Sequence, residues 1–327
     1  MKRFGLVLCL LCSIVGLYAA DKNIMMYGDS SRVGLPFAKD PCVISYHGNY
    51  FMYYSMPPAN YKSGLRGWGI GIAQSSDLIH WKKVGELLPA VEYEANGICA
   101  PCVIERNDTM HIFYQVQTVT RTDAICHAYS VDGLHFIRDN SNPVFHPEPN
   151  QWTCGRAIDA EVFAYQDRYY MYFATRDPAF EHQLVGLAVT GKNSSFDRTS
   201  WTHLSTAGPV LAPTLPWETK CIEAPSAIVL DGKLYLFYAG GFNNDPQQIG
   251  IATGTDPLYM TRMSDTPFLK NGQPGEWNES ESGHPDIFQD NDGQLYLFFQ
   301  GNKTKGRDWL LSCKKLSYKN GKFKFIK

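Results

Sequence analysis

The chain lacks an excess of either charge. Its 327 residues carry 30 Lys and Arg against 32 Asp and Glu, a formal net charge of −2. That balance removes the electrostatic reason to expect nucleic acid or an anionic membrane as a partner. No apolar run after residue 20 is long enough to span a bilayer as a helix. No segment carries a convincing amphipathic helical period, no linker or low-complexity stretch divides the chain, and no Cys/His spacing matches a zinc site. Aromatic residues are plentiful, by contrast. There are 19 Tyr and 18 Phe in a composition that is 44% hydrophobic, which suits strands and is ample for one large core.

The one extended apolar run is at the start. Lys2 and Arg3 precede apolar residues from Phe4 to Leu17, and Tyr18-Ala19-Ala20 offers small residues for cleavage. This is the pattern of a secretory signal over residues 1–20, and it implies a secreted or periplasmic protein. A membrane anchor is the competing reading, but the run is short for one. Lipid attachment at Cys9 or Cys12 fits the preceding residues poorly.

Removal of that segment leaves seven cysteines: Cys42, Cys99, Cys102, Cys126, Cys154, Cys221 and Cys313. An odd count leaves at least one unpaired. Cys99-Ala100-Pro101-Cys102 imitates a redox pair, but such a pair needs a helix N-terminus to lower a thiol pKa. Here the four residues open a strand, so both cysteines read as small, buried strand residues.

From about residue 24 to 327 one phrase recurs five times. The copies open at Asp40 (DPCVISYHGNYFMYYS), Ala100 (APCVIERNDTMHIFYQ), Asp159 (DAEVFAYQDRYYMYFA), Ala224 (APSAIVLDGKLYLFYA) and His284 (HPDIFQDNDGQLYLFF), at spacings of 60, 59, 65 and 60 residues. Each copy reads as an apolar strand, a tight turn and an alternating aromatic strand. Asp231-Gly232 between two such strands is a strong hairpin signal. A third strand follows, then a turn and an aromatic at a fourth. A period near 60 is too long for a solenoid turn and suits one four-stranded propeller blade, so the sequence predicts an all-β, five-bladed β-propeller in a single domain over 24–327. A two-sheet sandwich would not explain five equivalent units.

The innermost strand of each blade borders the central channel, so the five openings should crowd around one mouth. Asp40, Asp159, His284 and Glu223, which sits one residue before its copy, are residue types that a hydrolase uses. A purely structural repeat has no reason to begin buried strands with carboxylates.

In these openings the chain resembles glycoside hydrolase family 43 and the wider clan of five-bladed propeller glycosidases. Asp40-Pro41 matches the family's Asp-Pro opening with its catalytic base, Ile158-Asp159-Ala160 its third-blade Asp, Glu223-Ala224-Pro225 its fourth-blade acid, and Gly283-His284 its fifth-blade Gly-His. The resemblance covers nearly the whole chain after the signal. It implies a glycosidase that acts on plant or algal poly- or oligosaccharides, of arabinofuranosidase or xylosidase type. Hydrolysis with inversion needs one carboxylic acid to protonate the leaving oxygen, and a carboxylate about 6.5–9.5 Å away to activate water on the opposite face. Glu223 is the expected acid and Asp40 the expected base. Asp159 lies between them, with a charge that would help keep Glu223 protonated. Because Pro225 aligns with Pro41, Glu223 falls one residue earlier than Asp40. It is therefore expected to project from the loop above the strand towards a sugar. No cofactor is required for this chemistry.

Other positions remain open. His284 has three readings: a channel residue that helps hold a water or a structural calcium, part of the sugar pocket, or a core residue satisfying backbone groups. The resemblance places a substrate-contacting Arg after blade five, where Arg307 stands, and Arg156 is a second pocket candidate. Trp68 and Trp217, with Trp152 and Phe180, lie between strands or blades, where an aromatic either stacks on a sugar or packs the blades. Ala160 and Ala224 depart from the family's Pro and Gly, and Glu161 and Asp286 add carboxylates without an assigned role. The alternatives are a propeller glycosidase for anhydro-galactose units with a histidine acid, and a non-catalytic carbohydrate-binding propeller. A retaining fructosidase is disfavoured because its Asn-Asp-Pro and Arg-Asp-Pro openings are absent.

Overall fold

Each aromatic repeat closes on itself through a tight turn. His47-Gly48, Asn107-Asp108 and Asp231-Gly232 have both residues at positive φ (49° and 76°, 54° and 62°, 51° and 72°). This turn geometry matches the right-handed twist of the strands it joins. The computed structural model describes residues 25–58, 67–118 and 122–326, and the expected signal at 1–20 lies outside the described residues.

Five antiparallel sheets result. Blade 1 runs Lys39–Tyr46, Asn49–Met56, Gly69–Ser75 and Lys82–Leu87, and blade 2 runs Ile98–Glu105, Met110–Val116, Ala124–Ser130 and Ile137–Arg138. Blade 3 runs Ile158–Tyr165, Arg168–Arg176, Gln183–Gly191 and Thr202–His203, and blade 4 runs Ile222–Leu230, Lys233–Gly240, Gln248–Asp256 and Tyr259–Arg262. Blade 5 has Glu281–Gln289, Leu295–Asn302 and Leu310–Lys319, and its outer place is shared by Lys322–Phe325 and Met26–Tyr27. Met26 and Tyr27 pair with Ser312 and Leu311, so the start of the described chain is stitched onto its last blade. The first strands of successive blades are neighbours round a ring, blade 5 against blade 1 included. The protein is a five-bladed β-propeller. No helix among the described residues is long and apolar enough to cross a membrane.

The core lies between blades. Tyr53, Ile72, Ile112 and Tyr114 fill the space between blades 1 and 2, and Phe237, Ile249, Leu297 and Phe299 that between blades 4 and 5. Each fully buried side chain of this size contributes on the order of 1.5–3 kcal/mol. All seven cysteines of the described chain are free thiols, and Cys99 and Cys102 are buried in the first strand of blade 2 as expected.

One irregularity repeats in every blade. Pairing of the first strand with the second slips after Lys39, Cys99, Ile158, Glu223 and Gly283, and resumes at Cys42, Cys102, Glu161, Ser226 and Asp286. The residue after each slip, Asp40, Ala100, Asp159, Ala224 or His284, has φ between 46° and 53°. These β-bulges leave backbone N–H groups outside the ladder and re-aim the side chains beside them.

The freed donors are taken up by neighbouring blades. Ser55 Oγ accepts the Ala100 N–H at 2.8 Å, Gln115 Oε1 that of Asp159 at 2.9 Å, and Gln300 Oε1 that of Asp40 at 2.9 Å. Blade 3 has Ala174 at the equivalent position, and there the Asp159 carboxylate itself accepts the Ala224 N–H at 3.3 Å. Deeper in the channel a second ring closes completely. Cys42, Cys102, Glu161, Ser226 and Asp286 accept the N–H groups of Val103, Val162, Ala227, Ile287 and Val43, each from the next blade round the ring. Leaving one such buried donor unpaired costs about 1–3 kcal/mol. Glu161 and Asp286 are thus channel-wall groups. Burial, the largest influence on each, pushes their carboxyls up to about 8 and about 7.

Candidate active site

The bulges carry Asp40, Asp159 and Glu223 to the innermost strands and bury them to 7%, 8% and 7% exposure. Asp40 Oδ1 lies 3.0 Å from His284 Nδ1 and 3.9 Å from Lys39 Nζ. Burial works to raise the Asp40 carboxyl, but His284, Lys39 and the Ser55 hydroxyl outweigh it and hold the group below its ordinary value. His284 is itself held below the ordinary imidazole value by burial, against the pull of Asp40. The contact between His284 and Asp40 is electrostatic, and through it the imidazole lowers the carboxyl pKa. His284 therefore partners the Asp40 carboxylate, a role outside its three expected readings.

Glu223 and Asp159 are shifted the other way. Burial is the largest cause for both, raising Glu223 and lifting Asp159 well above the carboxylate range, and the charge of Glu223 adds to the rise at Asp159. The expected influence of Asp159 on Glu223 is not what acts: the charge of Glu223 raises Asp159, and the carboxylate that adds to the rise at Glu223 is Asp40. Lys39, a hydrogen bond from Gln247 and Arg176 oppose the rise at Glu223. One site thus holds a carboxyl biased towards the ionised form, Asp40, and two biased towards the protonated form.

The position of Glu223 corrects an expectation. It does not project from a loop. It lies inside the strand Ile222–Leu230, across from Ala239 and immediately before the bulge. Its Oε1 accepts from Gln247 Nε2 at 2.6 Å, and its Oε2 accepts from Gln183 Nε2. Gly283 makes room for this arrangement, because a Cβ there would fall 1.8 Å from Gln247 Oε1.

Lys39 is the residue that sequence reasoning missed most clearly. It occupies the pre-bulge position in blade 1 that Glu223 occupies in blade 4, so the register slip that singled out Glu223 could have found it. Its ammonium lies 4.5 Å from the Trp309 ring and 5.9 Å from that of Trp68. Burial would lower its pKa, but Asp40, Glu281 and Glu223 together raise it. Glu281, pushed up to about 8 by burial against the pull of Lys39, accepts from Gln300 Nε2 at 2.6 Å. Gln183, Gln247, Gln300 and Arg176 reach the site from second strands, third strands and the segments leading into them, where the repeat carries no polar signature.

The other candidates divide. Trp68 belongs to the aromatic box around Lys39, next to Asp40. Arg156 lies close enough to Asp159 to oppose its rise and pairs with Asp123 at 2.6 Å. Trp217 stacks on Tyr238 at 5.8 Å and donates to the Asp265 carbonyl, against Gly240 and Gly250, which is blade packing. Arg307 is exposed on the loop between Thr304 and Trp309 and makes no ion pair among the described residues. Among the described residues no group of three or more His, Cys, Asp or Glu is placed to hold a metal ion. The channel-wall acceptors are committed to backbone N–H groups and His284 Nδ1 to Asp40, an arrangement that does not fit a directly coordinated calcium.

Comparison with known proteins bears on this geometry. The model of glycosyl hydrolases family 43 matches residues 33–322. A thermostable family-43 glycoside hydrolase of known structure is 22% identical, with 91% of this chain and 95% of that one covered at a TM-score of 0.69. An endo-1,4-beta-xylanase from Bacteroides thetaiotaomicron is 21% identical, with 90% and 95% covered at a TM-score of 0.68. These likenesses concern the fold. Xylosidase/arabinosidase 43A of Humicola insolens is 32% identical over 87 residues, a match that spans 27% of this chain and 24% of that relative's length.

Proposed function

This chain belongs to glycoside hydrolase family 43, and on that premise we propose that it is a secreted, exo-acting, inverting glycosidase of arabinofuranosidase or xylosidase type, acting on plant or algal poly- or oligosaccharides. Glu223, protonated, donates to the glycosidic oxygen as the bond to the anomeric carbon breaks. Asp40, ionised, takes a proton from the water that attacks that carbon from the opposite face. His284 and Lys39 keep Asp40 ionised and oriented. Asp159 holds the strand of Glu223 through the Ala224 N–H and limits the negative charge that the site can carry.

The observation that carries this reading is the opposed bias of two buried carboxyls in one site, Asp40 held down and Glu223 held up. A general acid and a general base need that separation at one pH. A histidine acid is less well supported, because His284 is tied to the Asp40 side. Residues 1–20 direct export and are removed. A screen of the purified protein against aryl arabinofuranosides, xylosides and plant and algal oligosaccharides tests the function. Turnover of an arabinofuranoside or xyloside supports it, and no turnover of any member contradicts it.

A further inference from the structure

Near Glu223 lies a guanidinium, that of Arg176, which the charges of Glu223 and Asp177 influence but which makes no ion pair among the described residues. Arg176 ends the second strand of blade 3 and pairs across the ladder with Gln183, whose amide donates to Glu223. The guanidinium of Arg176 lies 4.4 Å from the ring of Phe242 and 5.6 Å from that of Phe180. The guanidinium of Arg156 lies 5.8 Å from the same Phe180 ring. Both arginines bury their Nε without a hydrogen-bond partner. Arg156 has Asp123, but Arg176 makes no ion pair among the described residues.

The nearby anions are already committed. Asp177 accepts from His182 Nδ1 at 2.9 Å and from the N–H groups of Glu181 and His182. Both oxygens of Glu223 accept from glutamine amides. When Glu223 carries the proton it must donate, the remaining acid that acts on Arg176 is Asp177, whose oxygens are already taken by His182 and two backbone N–H groups. Two guanidiniums on one aromatic ring with unfilled donors form a receptor for an oxyanion, which a planar fork binds through two parallel hydrogen bonds.

Glu223 protonates the leaving oxygen, so groups beside it meet the leaving sugar. Resting on the hydrolase reading above, we infer that Arg176, with Arg156 beside it, recognises an anionic leaving unit, a sugar that carries a carboxylate or a sulfate ester. Phe180 and Phe242 hold the Arg176 fork in place.

The test measures binding of D-glucuronate and D-galacturonate, of glucose 6-sulfate and galactose 6-sulfate, and of neutral glucose and galactose, by calorimetry and by inhibition of aryl-glycoside turnover. Charged sugars should bind about tenfold or more tightly than the neutral ones, with the margin shrinking as salt is raised. The preferred arm, uronate or sulfate, names the source of the oxyanion. Arg176→Met should bring the ratio to about one, and Arg176→Lys, which keeps the charge without the fork, should leave an intermediate ratio. Equal binding of charged and neutral sugars by the native protein overturns the inference, whatever the variants do. An unchanged ratio in a folded Arg176→Met protein also overturns it. So does a shift in the pH profile of turnover with no change in the ratio, which would make Arg176 a positioning residue for Glu223. Absence of any aryl-glycoside turnover would refute the hydrolase reading separately, since calorimetry reads the sugar preference without catalysis.

Discussion

His284 Nδ1 meets Asp40 Oδ1 at 3.0 Å, and the two residues hold the same bulge position in adjoining blades 5 and 1. The ring of blades thus brings the last repeat onto the first where a base is needed. His284→Ala should raise the Asp40 pKa, because the imidazole is the foremost influence holding that carboxyl down. The base is active when ionised, so the acid limb of the kcat/KM profile should move to higher pH. His284→Asn, which carries no charge at any pH, should show the same shift, because the influence of His284 on Asp40 is coulombic. An unmoved acid limb in His284→Ala would separate the two residues functionally.

Lys39 influences both carboxyls in the same direction. It lowers Asp40 and opposes the rise at Glu223. Lys39→Met should therefore move both limbs of the pH profile upward, the acid limb through Asp40 and the basic limb through Glu223. The optimum shifts to higher pH, and activity below it falls. A uniform loss with both limbs unmoved would assign Lys39 to packing against Trp309 alone.

The channel wall makes a prediction about stability. Glu161 and Asp286 have carboxyls raised to about 8 and about 7 in the folded protein, above their values in the unfolded chain. The native state therefore binds more protons. The stabilisation is complete below the ordinary carboxyl range and declines as pH rises towards 7 and 8. Glu161→Gln keeps an acceptor for the Ala227 N–H and removes the titration. It should flatten the fall in Tm between about pH 5 and pH 8 and raise Tm at pH 8. Thermal melts across that range check this, and an undiminished slope would contradict it.

Glu223→Gln removes the proton donor and leaves the strand intact. Turnover of oligosaccharides should fall by about 10²–10⁴-fold. The loss should be much smaller for dinitrophenyl glycosides, whose leaving group departs without a proton. Equal losses on both substrates would place Glu223 outside proton donation.

The fold was legible because period-2 aromatic strands and positive-φ turns such as Asp231-Gly232 are written locally, five times over. The carboxylates were legible because polar residues at the start of buried strands conflict with burial unless they have a task. The bulges were hidden. Left-handed backbone usually announces itself as glycine, yet its five occupants here are Asp40, Ala100, Asp159, Ala224 and His284. Without the bulge, Glu223 read as a loop residue, and its counterpart Lys39 was passed over. Gln183, Gln247 and Arg176 were hidden for another reason. Each reaches Glu223 through sheet pairing or a contact between blades, and no sequence spacing encodes that.

The stereochemistry of the first product tests the central claim most directly. Proton NMR of early turnover on a substrate of defined anomeric configuration resolves the newly formed anomer before mutarotation. With Asp40 activating water opposite the bond that Glu223 protonates, the first product should have the inverted configuration. A first product with retained configuration would contradict that assignment.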